Sequence, residues 1–246
     1  MKVSYGKLLF FAAVPMIFMA SPSFVFACDT TIPPMWDPSV SIPKTASIGN
    51  GTVIGPNVTI SGYVQIGTCA QIGTDGMGGS ISSHAALGNN VRMLHNSGIS
   101  MNAHIGGNTY IYDSHVGSYA KIGWSDAIVS SSIGSSSTVG GHSVINNSYI
   151  GSNGDLGYGS TMVDGSSMSR YAQTGIGANI TASYLGYKSS LGDSVTVDTN
   201  SKVEGYTDID SNVILNKYVY IGRNAHVCYD VPEHMNIAAY TSYGCQ

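Results

Sequence analysis

Between Val116 and Leu156 an aliphatic residue, usually followed by Gly, returns every six residues. It falls at Val116, Ile122, Ile128, Ile133, Val139, Ile145, Ile150 and Leu156, with a five-residue step at regular intervals. Upstream, Ile42, Ile48, Ile54, Ile60, Ile66 and Ile72 keep the six-residue spacing without exception. The rhythm breaks at Thr74-Asp75-Gly76-Met77-Gly78-Gly79 and resumes at Ile81, continuing through Leu87, Met93, Ile99, Ile105 and Ile111. From there Ile111, Ile128, Ile145 and Met162 fall 17 residues apart; after one 18-residue interval Ile180 to Val197 is again 17, and Leu215 follows at 18. The repeats end near Val227. No 3.6-residue apolar stripe accompanies them, so almost no helix is expected beyond the N-terminal segment.

A period of six with super-periods of 17 and 18 predicts an all-β triangular solenoid. Each hexapeptide is one short strand and a corner, and three make a coil. The aliphatic residue points inward and stacks on its equivalent one coil away. The small residue two before it, such as Ser131, Ser148 or Ser183, also faces in. Corners demand positive φ, which suits the Gly, Asn and Asp found there, as in Asn50-Gly51, Pro56-Asn57 and Ser61-Gly62. About eleven coils at ~4.8 Å per strand spacing give a rod roughly 50 Å long. Its open ends require caps. Residues 28–41, with Pro33, Pro34, Trp36 and Pro38, and residues 228–246 are expected to supply them around a repeat region of 42–227.

Sustained over roughly residues 42–232, this pattern resembles the hexapeptide-repeat, left-handed parallel β-helix superfamily. The left-handed sense is implied by that resemblance, as is a tendency to form homo-oligomers, commonly trimers. The superfamily holds acyltransferases, sugar-nucleotide enzymes, zinc carbonic anhydrases and non-enzymatic rods. Asp230-Val231-Pro232 followed by Ala238-Ala239 looks like the exit segment of its acetyltransferases, where a Gly-x-Pro-Ala sequence and a basic residue lie beside coenzyme A. Here the tail Tyr240-Thr241-Ser242-Tyr243-Gly244-Cys245 carries neither. Under an acyltransferase reading the general base would be His84, just after the 74–79 interruption, or His142. A zinc hydratase needs three converging imidazoles, whereas His84, His95, His104 and His115 fall on different corners or strands. No cofactor is expected.

Charge and ends narrow the class. Lys2 and Lys7, the apolar run Leu8 to Ala20 and Val25-Phe26-Ala27 read as a signal peptide over residues 1–27. The run is short and interrupted by Pro15, so no transmembrane helix is expected in the mature chain. Cys28 after the cleavage point also leaves lipidation open. Removing Lys2 and Lys7 from the 10 Lys and Arg, against 14 Asp and Glu, gives a mature net charge of about −6. That argues against nucleic acid and anionic membrane surfaces as partners. An exported chain with four cysteines suggests two disulfides. The repeat places Cys69 and Cys228 roughly 40 Å apart at ~4.8 Å per coil, far beyond the ~7 Å that a bridge tolerates. The pairing is therefore Cys28–Cys69 and Cys228–Cys245, one staple at each end.

Surface chemistry is sparser. Asp193 and Asp210 lie one coil apart and are weak calcium candidates within a late acidic cluster. Sequons at Asn57, Asn146 and Asn179 matter only in a glycosylating host. The threonines do not align into the flat ladder that an ice-binding face needs. More informative are the positions just outside the inward column Ile150, Met168, Leu185, Val203 and Ile221. Tyr149, Tyr184 and Tyr220 precede inward residues, while Tyr171, Tyr187 and Tyr206 follow, with Arg170 and Arg223 beside them. Such a rigid Tyr/Arg face suits sugar rings or another copy of the chain; the competing reading is a cross-strand ladder that only stabilises the sheet. The expectation is an exported, non-enzymatic β-helical rod at the cell surface or in its matrix. It contacts polysaccharide or itself through Tyr149, Arg170, Tyr171, Tyr184, Tyr187, Tyr206, Tyr220 and Arg223. The alternative is an acyltransferase acting on an envelope sugar.

Overall fold

A computed structural model describes residues 28–245; the expected signal peptide lies outside them. Among the described residues there is no helix, and none long and apolar enough to cross a membrane. The chain winds into three parallel sheets of 11, 11 and 12 strands. Sheet I runs from Met35–Trp36 to Ile214–Leu215, sheet II from Ser47–Ile48 to Ser242–Tyr243, and sheet III from Val58–Ile60 to Asn236–Ile237. Each turn passes from sheet I to III to II and returns to I. The solenoid of hexapeptide repeats anticipated from the sequence is thus the fold of this chain.

Register follows the aliphatic spacing. Ile128 is level with Ile145, and Ile145 with Met162, on successive turns of sheet I. All three are fully buried, as are Ile111 and Ile180. Strand pairing runs past Val227: Asn236–Ile237 joins sheet III and Ser242–Tyr243 joins sheet II. At the other end Met35–Trp36 pairs with Val53–Ile54. Both terminal segments therefore extend the sheets, which gives slightly more than the eleven coils counted from hexads. The two disulfides join Cys28 to Cys69 and Cys228 to Cys245, with Cα separations of 5.8 and 5.1 Å.

The left-handed corner residue is the third after the inward residue in six-residue steps and the second in the five-residue steps, at Asp113, Ser130, Asn147 and Ala182. Gly51 and Asn57 take it as expected (φ 70° and 59°), but after Ile60 it is Tyr63 (φ 61°) and not Gly62. Tyrosine, histidine and lysine occupy many such positions, among them His84, His142, Tyr171, Lys188 and Tyr206. Each costs about 1 kcal/mol relative to Gly, and each throws a large side chain outward at an edge.

The five-residue steps all fall at the corner from sheet I to sheet III, as from Ile111 to Val116 and from Ile128 to Ile133. There the inward residue two before the aliphatic one is serine from Ser97 through Ser201, and this serine column is buried. In short corners its hydroxyl donates to the carbonyl two residues back: Ser114 to Tyr112 (2.7 Å), Ser131 to Val129 (2.6 Å), Ser148 to Asn146 (2.8 Å). In the six-residue corner Ser166 reaches three back, to Val163 (2.6 Å). The same Oγ accepts the backbone N–H of the next turn, Ser131 from Ser148 and Ser114 from Ser131, each at 3.1 Å. In short and long corners alike serine gives buried backbone groups a donor and an acceptor.

Candidate functional site

The short corners draw one edge of the solenoid inward and leave a shallow groove. Its floor is the outward column of sheet III, where Gly98, His115, Ser132, Tyr149 and Ser167 are level on successive strands. Asn96, Asp113, Ser130 and Asn147 form one side. The lining is mostly hydroxyl and amide, with one imidazole and one carboxylate, Asp113. Gly98 makes room for that ring: a Cβ there would lie 3.0 Å from His115 Nδ1. His115 Nε2 is 3.1 Å from Ser100 Oγ.

The same column continues beyond the groove as Tyr184, Lys202 and Tyr220. Tyr149, Tyr184 and Tyr220 are thus spaced two strands apart, with Ser167 and Lys202 between them. Each ring is partly exposed, at 46, 36 and 37 %. The Lys202 ammonium lies over Tyr184 and Tyr220, 5.9 and 5.8 Å from the ring centres. It also pairs with Glu204 at 2.7 Å, and that hydrogen bond raises the lysine pKa.

Beside this row, the corner from sheet III to sheet II carries a second one. Tyr187 meets Tyr171 and Tyr206 edge-to-face at 5.7 and 5.5 Å. Arg223 sits 4.9 Å over Tyr206, and Lys188 lies 5.4 and 5.6 Å from Tyr187 and Tyr206. Edge-to-face rings and cation–ring contacts each contribute about 0.5–1.5 kcal/mol, so the ridge holds its shape. Tyr184 and Tyr187 straddle the bend and join the two rows. The sequence had named these residues from their spacing; the groove was not foreseen, because it arises from short corners and not from any residue type.

The other candidates lie elsewhere. His84 stacks on Tyr63 at 4.9 Å, and His142 is wedged edge-on between Trp124 (4.0 Å) and Tyr158 (5.2 Å). Neither lines the groove. Asp193 accepts the Ile176 N–H at 2.7 Å, while Asp210 pairs with His226 at 2.9 Å. Leu191 is level with Ile209, which sets Asp193 level with Ser211, so the two carboxylates are offset and serve different partners. Among the described residues, the one close grouping of three possible metal ligands is His226, Cys228 and Cys245, and both thiols there are tied in a disulfide. Among the described residues, Asp126 is the one strongly perturbed acid. It is buried in an inward position of sheet I, and desolvation pushes its pKa up to about 7 against a lowering hydrogen bond from the Ser143 N–H.

No family model matches the chain, and no curated protein matches it. Solved structures similar to it include the UDP-N-acetylglucosamine acyltransferase of Francisella novicida, 19 % identical over 84 % of this chain and 67 % of that one, with a TM-score of 0.26. The UDP-N-acetylglucosamine O-acyltransferase of Moraxella catarrhalis is 15 % identical over 75 % and 68 % of the two chains, at a TM-score of 0.31. A perosamine N-acetyltransferase variant from Caulobacter crescentus is 12 % identical over 84 % and 53 %, at 0.16.

Proposed function

We propose that this protein is an exported carbohydrate-binding rod, which holds an extended polysaccharide along sheet III and its corner with sheet II. The observation that carries the reading is the row Tyr149, Tyr184 and Tyr220 at every second strand, continuous with a hydroxyl-lined groove. Aromatic faces stack on the apolar faces of sugar rings, and fixed Ser and Asn groups meet sugar hydroxyls. A parallel solenoid keeps both at a constant pitch. Two disulfides support export.

The test is retention of the mature protein on insoluble polysaccharides, compared with a Tyr184→Ala, Tyr187→Ala, Tyr206→Ala, Tyr220→Ala variant. Loss of retention with the fold intact is expected. Retention unchanged would reduce the rings to a stabilising ladder. Sedimentation of both proteins tests the other use of the face, since association lost in the variant without any glycan binding would mean that the partner is a second copy.

A second reading, acyl transfer to a sugar, is favoured by one observation: an imidazole, His115, on the groove floor beside Ser100 Oγ. A His115→Gln variant and calorimetry with acetyl-coenzyme A test it. Absence of any coenzyme binding removes this reading and leaves the first untouched.

A further inference from the structure

Resting on the carbohydrate-binding reading, we infer that the ligand is an acidic polysaccharide, with carboxylates recurring along an extended chain that runs parallel to the solenoid axis. The charges of the rod are unevenly placed. Residues 28–245 contain eight Lys and Arg, and four of them, Arg170, Lys188, Lys202 and Arg223, stand on this one edge. Lys202 is matched by Glu204. Arg170, Lys188 and Arg223 have no carboxylate within ion-pair distance among the described residues. Lys188 and Arg223 instead rest on tyrosine rings.

Most of the carboxylates are elsewhere, although Glu204 stands on this edge against Lys202 and Asp113 lines the groove. Asp155 and Asp208 lie on the outward column of sheet II, and Asp193 and Asp210 on or beside its corner with sheet I. A chain carrying more acid than base thus concentrates unmatched cations on its aromatic edge, with Asp155, Asp193, Asp208 and Asp210 around the bend. A polyanion is attracted to one edge and repelled from the next, which fixes where it lies.

Pitch adds a second constraint. Rings two strands apart are roughly 9.6 Å from one another, which is the scale of a disaccharide in an extended glycan. The intervening position holds Ser167 or Lys202. The step from Tyr149 to Tyr184 therefore presents a hydroxyl and the step from Tyr184 to Tyr220 a cation, with Arg170, Lys188 and Arg223 flanking the row. A polymer whose carboxylates recur along its length engages several of these cations at once, and linked weak contacts multiply in effect.

The experiment is affinity electrophoresis of the mature protein through gels containing alginate, a polyuronate, or a neutral β-glucan, between 50 and 300 mM salt. The expected result is retardation by alginate that weakens about tenfold over that range, as exposed ion contacts are screened. An Arg170→Gln, Lys188→Gln, Arg223→Gln variant should lose about tenfold in alginate affinity and keep any binding to the neutral glucan. Tyr184→Ala with Tyr220→Ala should lose both. Equal binding of the two polymers, or alginate binding indifferent to salt and to the triple variant, would overturn acidic recognition while leaving carbohydrate binding in place. Binding to neither polymer by the unaltered protein would overturn both. The salt series on the unaltered protein separates these outcomes even if the triple variant misfolds.

Discussion

Asp126 makes the folded chain a proton acceptor over a defined range of pH. It occupies an inward position of sheet I, where Thr109, Ser143 and Ser160 stand on neighbouring turns. Each of those hydroxyls donates to a glycine carbonyl: Thr109 to Gly123, Ser143 to Gly140 and Gly157, Ser160 to Gly175. Asp126 is 2 % exposed; its Oδ1 accepts the Ser143 N–H at 2.7 Å, and its Oδ2 has no partner. Only the protonated acid carries an O–H like those of its neighbours. Burial therefore lifts its pKa from 3.8 to about 7.

Between those two values the folded chain keeps a proton that the unfolded chain has released. Stability must then fall as pH rises through that window and be flat on either side. The gap amounts to about 4 kcal/mol, to within a factor of two. Asp126→Asn, neutral throughout, removes the dependence. Urea unfolding followed by tryptophan fluorescence at pH 4, 5.5 and 7.5 measures it. The difference between the two proteins cancels the titration of every other group. The original chain should lose ground to the variant steadily as pH rises, and should be the less stable of the two at pH 7.5. Parallel pH profiles would refute the reasoning and mean that the carboxyl is solvated or ionised in the fold.

Ser131→Ala deprives the buried Ser148 N–H of its 3.1 Å acceptor and should cost about 1–3 kcal/mol in urea denaturation; an unchanged midpoint would mean that water fills in. Reducing the disulfides should destabilise the ends: loops of 41 and 17 residues correspond to at most about 4 and 3 kcal/mol by chain entropy, with amide exchange rising first in the terminal turns. Tyr171→Asn gives up one edge-to-face contact of about 1 kcal/mol but relieves a left-handed tyrosine worth about as much. Its melting temperature should barely move while polysaccharide retention weakens, whereas a ladder serving stability alone predicts a lower melting temperature and unchanged retention.

The solenoid was legible because its cause is local and repeated. An inward aliphatic residue every six positions can be counted, and a five-residue step keeps that count while changing only the corner. Disulfide pairing followed from the same arithmetic, since axial distance is proportional to coil number. The terminal strands Asn236–Ile237 and Ser242–Tyr243 were harder to see: Pro232 and the spacing around it disturb the hexad, yet backbone pairing needs no particular side chain. The corner after Ile60 was misassigned to Gly62 because residue type was read in place of position, and geometry puts Tyr63 in the left-handed seat.

What the spacing could not reveal is how outward residues from distant repeats meet. Tyr171, Tyr187 and Tyr206 were named as one face, but the cations resting on their rings depend on a bend between two sheets. The groove depends on successive short corners, none of which is unusual alone. His115 gained its surroundings from Gly98 and Ser100, residues 17 and 15 positions earlier. In this architecture an inward residue is judged by its own spacing, whereas an outward one acquires meaning only from the turns above and below. A stack of identical turns would carry identical faces. Here the same serine-closed corner runs beneath both halves of sheet III, while the residues above it change from small and polar to aromatic and cationic. Stability is therefore shared along the rod while binding chemistry differs from end to end, and substitutions in the outward column should alter ligand binding with little effect on the fold.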